Sequence, residues 1–397
     1  MKILFLTDNF PPEVNAPATR TYEHCREWVK SGEKVTVITC IPNFPEGKVY
    51  KGYKNKLYQK ETIDGIEVIR VWTYIAANRG FIKRIIDYLS FMVMSFFAGL
   101  FIKTDLIIAT SPQFFTAISG KWLAFWKRKK WVMEIRDLWP ESIKAVGAME
   151  HNLVIRYFEF LEKRMYKSAW KIVTVTDSFK AILKERYGVN DSKITVVKNG
   201  VNMNLFSPRE KDNILLCELE IKNKYIIGYI GTHGMAHALD FVLECASKIK
   251  DDEIHFLFLG TGAEKEKLLE QKNKMKLTNV TMLDPVPKHE VGRYISILDA
   301  ALVNLRKSVT FKTVIPSKIF ELAAMHKPIL LGVEGESKNL VEKYKIGIPF
   351  EPENMQDFIE KVQLIRTRES KEYTFDDMVA DFDRTNLATD MLLFIKD

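Results

Sequence analysis

Apolar and polar residues alternate along this chain with two periods. Short runs rich in β-branched residues read as strands: Lys2-Ile-Leu-Phe-Leu-Thr7, Lys34-Val-Thr-Val-Ile-Thr39, Ile66–Val71, Asp105–Thr110, Trp131–Ile135, Lys171–Thr176 and Lys193–Val197. Between them lie stretches at helical spacing, among them Thr19–Lys30, ended by Ser31-Gly32, and a long helix from about Leu153 to Ser168. The strands are apolar nearly throughout, as expected of a parallel sheet covered on both faces. Asn199-Gly200-Val201-Asn202 and the polar stretch to Asn213 read as turn and linker. A second alternation begins at Tyr225–Gly231 and continues through Ile254–Leu259, Val280–Leu283, Ala300–Asn304 and Pro328–Leu331. The pattern therefore predicts an α/β chain of two Rossmann-like, doubly wound domains facing across a cleft. The N-terminal domain is expected at 1–205, the C-terminal domain at 206–375, and a terminal helix at 376–397 packing back on the first domain. Ligands of such sheets bind outside the carboxyl ends of the strands, at the point where strand order reverses.

A length of 397 residues leaves room for two or three domains. The formal charge of +8 favours an acidic partner: nucleic acid, an anionic membrane surface or a phosphorylated substrate. Nucleic acid is the weakest of these, because no recognised binding module accompanies the charge. The cysteines at 25, 40, 217 and 245 form no C-x-x-C pair and no zinc-ligand spacing, which fits reduced thiols in a cytosol. Met1–Thr7 turns polar too quickly for a signal peptide and reads as a first strand.

The segment 85–102 is strongly apolar, but Asp87 leaves only Tyr88–Ile102 uninterrupted, against the roughly 20 residues a spanning helix needs. A helix that is buried, or embedded in one leaflet, is expected. Lys83, Arg84 and Lys103 flank it, and Trp122-Leu-Ala-Phe-Trp-Lys-Arg-Lys-Lys-Trp131 adds cations between tryptophans, a mixture suited to the headgroup layer. The region 83–131 is thus expected to dock at a membrane surface, peripherally or within one leaflet. A core helix beside a solvated loop is the alternative.

Several turns carry candidate chemistry. Val314-Ile-Pro-Ser-Lys-Ile-Phe-Glu-Leu-Ala-Ala324 places Pro316, Ser317 and Lys318 at a helix start, where free N–H groups and a lysine charge favour an anion. Glu321, one turn on, suits ribose hydroxyls. An ordinary capped surface helix explains the same residues. Gly231-Thr232-His233-Gly234, with His237, follows a strand; its glycines let backbone approach a phosphate and its histidines can donate to phosphate or sugar. Gly260-Thr-Gly262 is either a second such loop or a purely structural turn. Arg306 and Lys318 together would neutralise much of a diphosphate, and Asp284-Pro-Val-Pro287 offers backbone to a base. In the first half, the segment 9–20, with Asn15 and Arg20, leaves strand one where a substrate would meet that domain. Arg136, Asp137 and Glu141 follow an apolar strand and are acid, base or hydroxyl-binding candidates, or a structural ion pair.

Taken in order, FPPEVNAPATR (10–20), RDLWPES (136–142), NGVN (199–202), GTHGMAHALD (231–240) and IPSKIFELAAMHKPIL (315–330) resemble the bacterial family 4 glycosyltransferases of GT-B fold, most of all the WbuB-like L-fucosamine transferase branch of O-antigen and capsule synthesis. The resemblance implies a hexosyltransferase-type enzyme that uses a UDP-sugar as co-substrate, retains anomeric configuration and needs no metal or other cofactor. Gly231, Thr232, His233, Gly234, His237, Arg306, Pro316, Ser317, Lys318 and Glu321 would bind the donor, with Arg306 and Lys318 assisting the leaving group. Asn15, Arg20 and Arg136 would face a polyprenyl-diphosphate-linked saccharide, with Asp137 and Glu141 near the reacting centre. The wider family has a glutamate eight residues before Glu321, where this chain has Thr313; it has an arginine and a lysine where this chain has Thr232 and His237; and Asn15-Ala16 stands in place of a glycine pair. A UDP-sugar epimerase of the same architecture and a non-catalytic membrane-bound scaffold are the competing expectations.

Overall fold

The computed structural model describes residues 1–44, 46–75, 81–111, 114–138 and 153–397. The chain divides into two compact units, Met1–Lys198 with Arg384–Asp397, and Asn199–Asp383.

The first unit holds β1 (Lys2–Leu6), β2 (Lys34–Cys40), β3 (Tyr58–Ile63), β4 (Ile66–Val71), β5 (Leu106–Thr110), β6 (Lys130–Ile135), β7 (Lys171–Thr174) and β8 (Ile194–Val196), in the order β3-β4-β2-β1-β5-β6-β7-β8. Every pairing is parallel except β3 with β4. Leu4, Val37, Ile38, Ile107, Ile108 and Val132 are fully enclosed, which is why these strands read as continuous apolar runs. The sequence pattern passes over β3 because it is an edge strand whose residues alternate between exposed and half-buried. Helix α1 (Ala16–Lys30) starts earlier than its apolar spacing indicates: the Asn15 side chain accepts the Ala18 N–H at 2.9 Å, and a proline stands in the first turn. Helices α2 (Phe81–Leu100) and α3 (Phe114–Lys127) pack on each other.

The second unit holds β9 (Tyr225–Ile230), β10 (Ile254–Leu259), β11 (Val280–Leu283), β12 (Ala300–Asn304), β13 (Ile329–Gly332) and β14 (Gly347–Pro349), all parallel, in the order β11-β10-β9-β12-β13-β14. β14 escapes the sequence pattern because it is three residues long and begins and ends on glycine and proline. In both sheets strand order reverses beside the first strand of the unit: between β1 and β5, and between β9 and β12.

The expected division at 205 falls instead after Lys198, because the Val201 N–H donates to Phe382 O at 3.0 Å and Val201 bridges Asp383. The same bridge interrupts the single helix expected over 376–394. Its first part, Asp376–Asp381, stays with the second unit, and Arg384–Lys396 lies against α1 in the first. There Trp28 Nε1 donates to Ala388 O at 2.8 Å, Arg384 pairs with Glu23, and Lys171 Nζ reaches Phe394 O.

Arg20 corrects an expectation. It is 1% exposed, its Nε donates to Glu134 at 2.9 Å, and its Nη atoms donate to Val197 O and Lys198 O, both at 2.8 Å. The guanidinium therefore joins α1 to β6 and to the end of β8; it is a buried structural pair and does not face an acceptor. Removing one partner of such a pair strands the other charge. Arg20→Ala is expected to destabilise the first unit by about 3–5 kcal/mol, and Arg20→Leu with Glu134→Met to recover most of that loss. Urea unfolding followed by tryptophan fluorescence tests this, since all seven tryptophans lie between positions 28 and 170; an unchanged midpoint in Arg20→Ala would contradict the structural role.

Candidate active site

β9 delivers the chain to the switch point of the second sheet, and the loop from Gly231 to Ala238 forms there. Gly231 has φ +144°, and a Cβ at this position would stand 2.7 Å from Lys318 Nζ. The turn after β10 braces this loop from below. The His233 N–H donates to Thr261 O and the Glu264 N–H to His233 O, each at 2.9 Å. Gly260 (φ +149°) comes so close that a Cβ would lie 1.9 Å from Gly231 O. Lys265 Nζ caps the turn by donating to Gly260 O and Leu283 O. These contacts give Gly260–Gly262 a structural role. Asp284, at the start of the Pro-rich loop, is exposed, its carboxylate 3.8 Å from Lys265 Nζ.

Lys318 opens the helix Lys318–Ala324 and turns its amine back over β9. Nζ sits 3.7 Å from the centre of the Tyr229 ring, shielded from solvent, with no hydrogen-bond partner among the described residues. Burial pushes the amine down to about 7, against the pull of the Glu321 carboxylate. A cation over an aromatic face recovers part of the lost hydration, but not what an oxygen ligand would supply. Tyr229 holds the loop in turn, its hydroxyl donating to Thr232 O at 2.8 Å.

The His233 ring is completely enclosed, beside Tyr229 and Phe258, and neither ring nitrogen has a partner among the described residues. Burial, then the charges of Lys265 and Lys318, push it down to about 4. Burial and Lys318 push His237 down to about 3. Both imidazoles are neutral at physiological pH, so each offers one donor and one acceptor and no charge. Three orphaned nitrogens thus gather at one strand end: Lys318 Nζ and both of His233. Buried polar atoms without partners are rare in folded proteins and call for a ligand or water.

Two parts of the expected site differ. Arg306 is not a free cation: it pairs with Asp240 at 2.9 Å and Glu353 at 3.1 Å, and its Nε donates to Met235 O at 2.8 Å. Its charge is neutralised locally, and it braces the Gly231 loop. The helix start is also weaker than the sequence implies. The helix has seven residues, Ser317 makes no side-chain cap, and the N–H groups of Ile319 and Phe320 donate to Pro316 O and Ser317 O. The cationic character of the site therefore rests on Lys318. Pro316, Ser317, Gly234 and Glu321 are half-buried around it and Thr232 is exposed. Thr313 donates to Thr310 O at 2.9 Å within a 3-10 turn. Asn304, which the sequence reading passed over, donates to His237 O and Ala238 O and supports Ala238 at φ +46°, an unfavourable backbone for alanine. Its signal was a polar residue closing an apolar strand.

In the first unit, Arg136 and Asp137 follow β6. The Arg136 N–H donates to Ser111 Oγ at 3.0 Å, and its Nε and Nη1 are enclosed without a partner among the described residues. Burial lowers Arg136 to about 10 against the pull of Glu134, and raises Asp137 to about 6 against the pull of Arg136. Asn15 is the cap of α1 and donates to Asn9 Oδ1 at 2.6 Å. Glu141 lies outside the described residues. Two carboxyls escaped the sequence reading as candidates: Glu13, which accepts the N–H groups of Asn43 and Phe44 at 2.8 and 2.9 Å, and Asp87 of α2. Burial raises both to about 7, with Asp8 adding repulsion.

Two family descriptions divide the chain: Glycosyltransferase Family 4 matches residues 17–205, and Glycosyl transferases group 1 matches 217–376. The chain is 26% identical over 373 residues to WcaI of Escherichia coli (strain K12), a protein described as a colanic acid biosynthesis glycosyl transferase, covering 90% of each chain. It is 23% identical over 256 residues to TuaH of Bacillus subtilis (strain 168), described as a teichuronic acid biosynthesis glycosyltransferase, covering 64% of this chain and 62% of that one. The crystal structure of Anabaena HepE in complex with UDP superimposes with a TM-score of 0.72 over the whole of both chains at 14% identity, a likeness of fold. With a glycosyltransferase match on each doubly wound unit, the chain belongs to the family 4 glycosyltransferases of GT-B architecture.

Proposed function

We propose that this enzyme moves a sugar, an N-acetylated deoxyhexosamine of the L-fucosamine type, from a UDP-sugar to a polyprenyl-diphosphate-linked saccharide in O-antigen, capsule or exopolysaccharide synthesis, with retention of configuration and without a metal. The observation that carries the proposal is the shielded, unpartnered Lys318 ammonium beneath Gly231. A diphosphate oxygen placed there supplies the ligand this ammonium lacks. Support also comes from HepE, a structural neighbour solved with UDP, and from the polysaccharide role described for WcaI.

Breaking the sugar–phosphate bond builds negative charge on the leaving oxygen. A preorganised cation in a dry setting stabilises that charge far better than water does. In this chain the task falls to Lys318, since Arg306 is neutralised by Asp240 and Glu353. His233 and His237, held neutral, donate hydrogen bonds to phosphate or sugar without adding charge. Glu321 takes ribose hydroxyls. Arg136 offers its two enclosed nitrogens to the acceptor's diphosphate, Asp137 orients the acceptor hydroxyl, and the departing phosphate takes that hydroxyl's proton.

The acceptor's lipid calls for a membrane-facing surface. Among the described residues no helix is long and apolar enough to cross a membrane. α2 nevertheless exposes Ile86, Leu89, Val93 and Phe97 along one face, and Phe96 meets Trp122 edge-on at 6.0 Å, joining that face to exposed Phe125 and Trp126 of α3. Trp131, expected at the interface, is instead 4% exposed within β6. We assign the α2–α3 face to the inner leaflet.

Two outcomes test these assignments. Lys318→Met is expected to lose transfer and to weaken UDP binding by at least tenfold while remaining folded. UDP binding to the wild type should need Lys318 protonated. Its affinity is then expected to fall by up to about tenfold per pH unit between pH 7 and 9 as the amine near 7 loses its proton, with a flat profile in Lys318→Met. Calorimetry across that range reads both effects, and equal slopes in the two proteins would remove Lys318 from the diphosphate site. For the membrane face, Phe125→Ser with Trp126→Ser should reduce sedimentation with phosphatidylglycerol vesicles at least tenfold; unchanged sedimentation would send the docking face elsewhere.

A further inference from the structure

A groove of about 740 Å3 runs between the second half of α2 and the edge of the first sheet. It is not part of the candidate active site. Its strand residues share one sheet face, because the register pairs Lys2 with Lys34, Thr36 with Glu67, Lys60 with Ile69 and Tyr58 with Val71. Ile69 and Val71 form the apolar floor, and Met94 and Ala98 of α2, with Phe101 just past its end, form the opposite wall. Leu57 and Phe101 stand at the mouth, 70% and 89% exposed. Four lysines line the groove, Lys2, Lys34, Lys60 and Lys103, against one carboxylate, Glu67, which Lys60 holds at 3.0 Å. Lys2, Lys34 and Lys103 enter no ion pair among the described residues. Lys2 and Lys34 stand where β1 and β2 begin and Lys103 just before β5, at the opposite sheet edge from Ser111 and Arg136.

We propose that this groove binds one acyl chain of an anionic phospholipid, with the headgroup phosphate on Lys2, Lys34 and Lys103. An apolar trough ending in three lysines whose side chains enter no ion pair among the described residues, with the Asp105 carboxylate bound to the Lys2 backbone N–H, matches an amphiphile that is apolar along its length and anionic at one end. The volume lies within the usual range for small-molecule sites, roughly 300–1,000 Å3. The groove is continuous with the exposed α2 face through Phe97, which belongs to both. The polyprenyl chain of an acceptor fits less well: its diphosphate has to reach the carboxyl edge at Arg136, whereas these cations mark the amino edge. The inference takes the membrane from the docking assignment as the source of the lipid, but groove binding does not itself require a bilayer.

The test uses the full chain and monomeric lysophosphatidylglycerol below its critical micelle concentration, titrated by calorimetry. Saturable one-to-one binding is expected, at least tenfold tighter than for lysophosphatidylcholine. Ala98→Trp, which fills the trough, and Lys34→Glu with Lys103→Glu, which reverses its rim, should each weaken binding at least tenfold, with thermal melts confirming that both variants fold. Phe125→Ser with Trp126→Ser should leave binding unchanged. No saturable binding, equal binding of the choline lipid, or full binding by folded Ala98→Trp would overturn the proposal. Displacement by undecaprenyl phosphate at tenfold lower concentration would also overturn it, by giving the groove to the acceptor chain. Failure to sediment with vesicles while lysophosphatidylglycerol still binds would count against the docking assignment alone and leave the groove standing.

Discussion

Lys318 lies against the face of Tyr229 with no oxygen among the described residues to receive its protons, and much of the second unit is arranged to keep it there. Enclosing an ammonium costs of order several kcal/mol unless a partner offsets it. The ring recovers a fraction, and the Glu321 carboxylate pulls from one turn along the helix. The rest is an unmet demand for a hydrogen-bond acceptor, held at the end of β9 where strand order reverses. Gly231 leaves the space above the amine open. Gly260, lacking a Cβ, lets the neighbouring turn come close enough to hold the loop through the His233 N–H and carbonyl. Arg306 and Asn304 tie down the loop's far end. The support is rigid and already paired, while the central group is not, as preorganised electrostatic sites require.

The first unit distributes its charges differently. Most of its buried charge is settled internally, Arg20 with Glu134 and Arg384 with Glu23, and those pairs join α1 to the sheet and to the terminal helix. Arg136 differs from these pairs, with two enclosed nitrogens unpartnered among the described residues, at the carboxyl edge where ligands of such sheets bind. The amino edge of the same sheet carries uncovered apolar surface and the lysines of the groove. One layer thus presents enclosed, unpartnered polar groups at one rim and a groove lined by apolar residues and lysines at the other. This separation follows from parallel strands, which put all their carboxyl ends on one side.

Most strands were legible because parallel strands buried on both faces must be apolar along their whole length, as Ile107-Ile-Ala109 and Phe256-Leu-Phe258 are. The two missed strands are edges: β3 is half polar, and β14 is a tripeptide. The segments that meet at the end of β9 stood out in the sequence too, as glycine loops after strands and a lysine at a helix start, although an ordinary capped helix and a structural turn read the same there. What each residue does there was less accessible. Arg20, Arg306 and Asn15 carry the same letters whether they meet a substrate, neutralise a carboxylate or cap a helix. For the two arginines the deciding neighbours lie between 47 and 178 positions away along the chain.

The amino-acid sequence alone determined the two α/β units, the strand-end loops and the presence of a lysine beside a glycine turn, because local periodicity and backbone permissiveness are properties of short segments. Tertiary structure decided which charges remain available. Lys318 stays unpaired because Tyr229 and Gly231 surround it with no acceptor, while Arg306 meets Asp240 and Glu353 across 66 and 47 residues of chain. Pairing and desolvation depend on distances in space, which the order of residues does not by itself express.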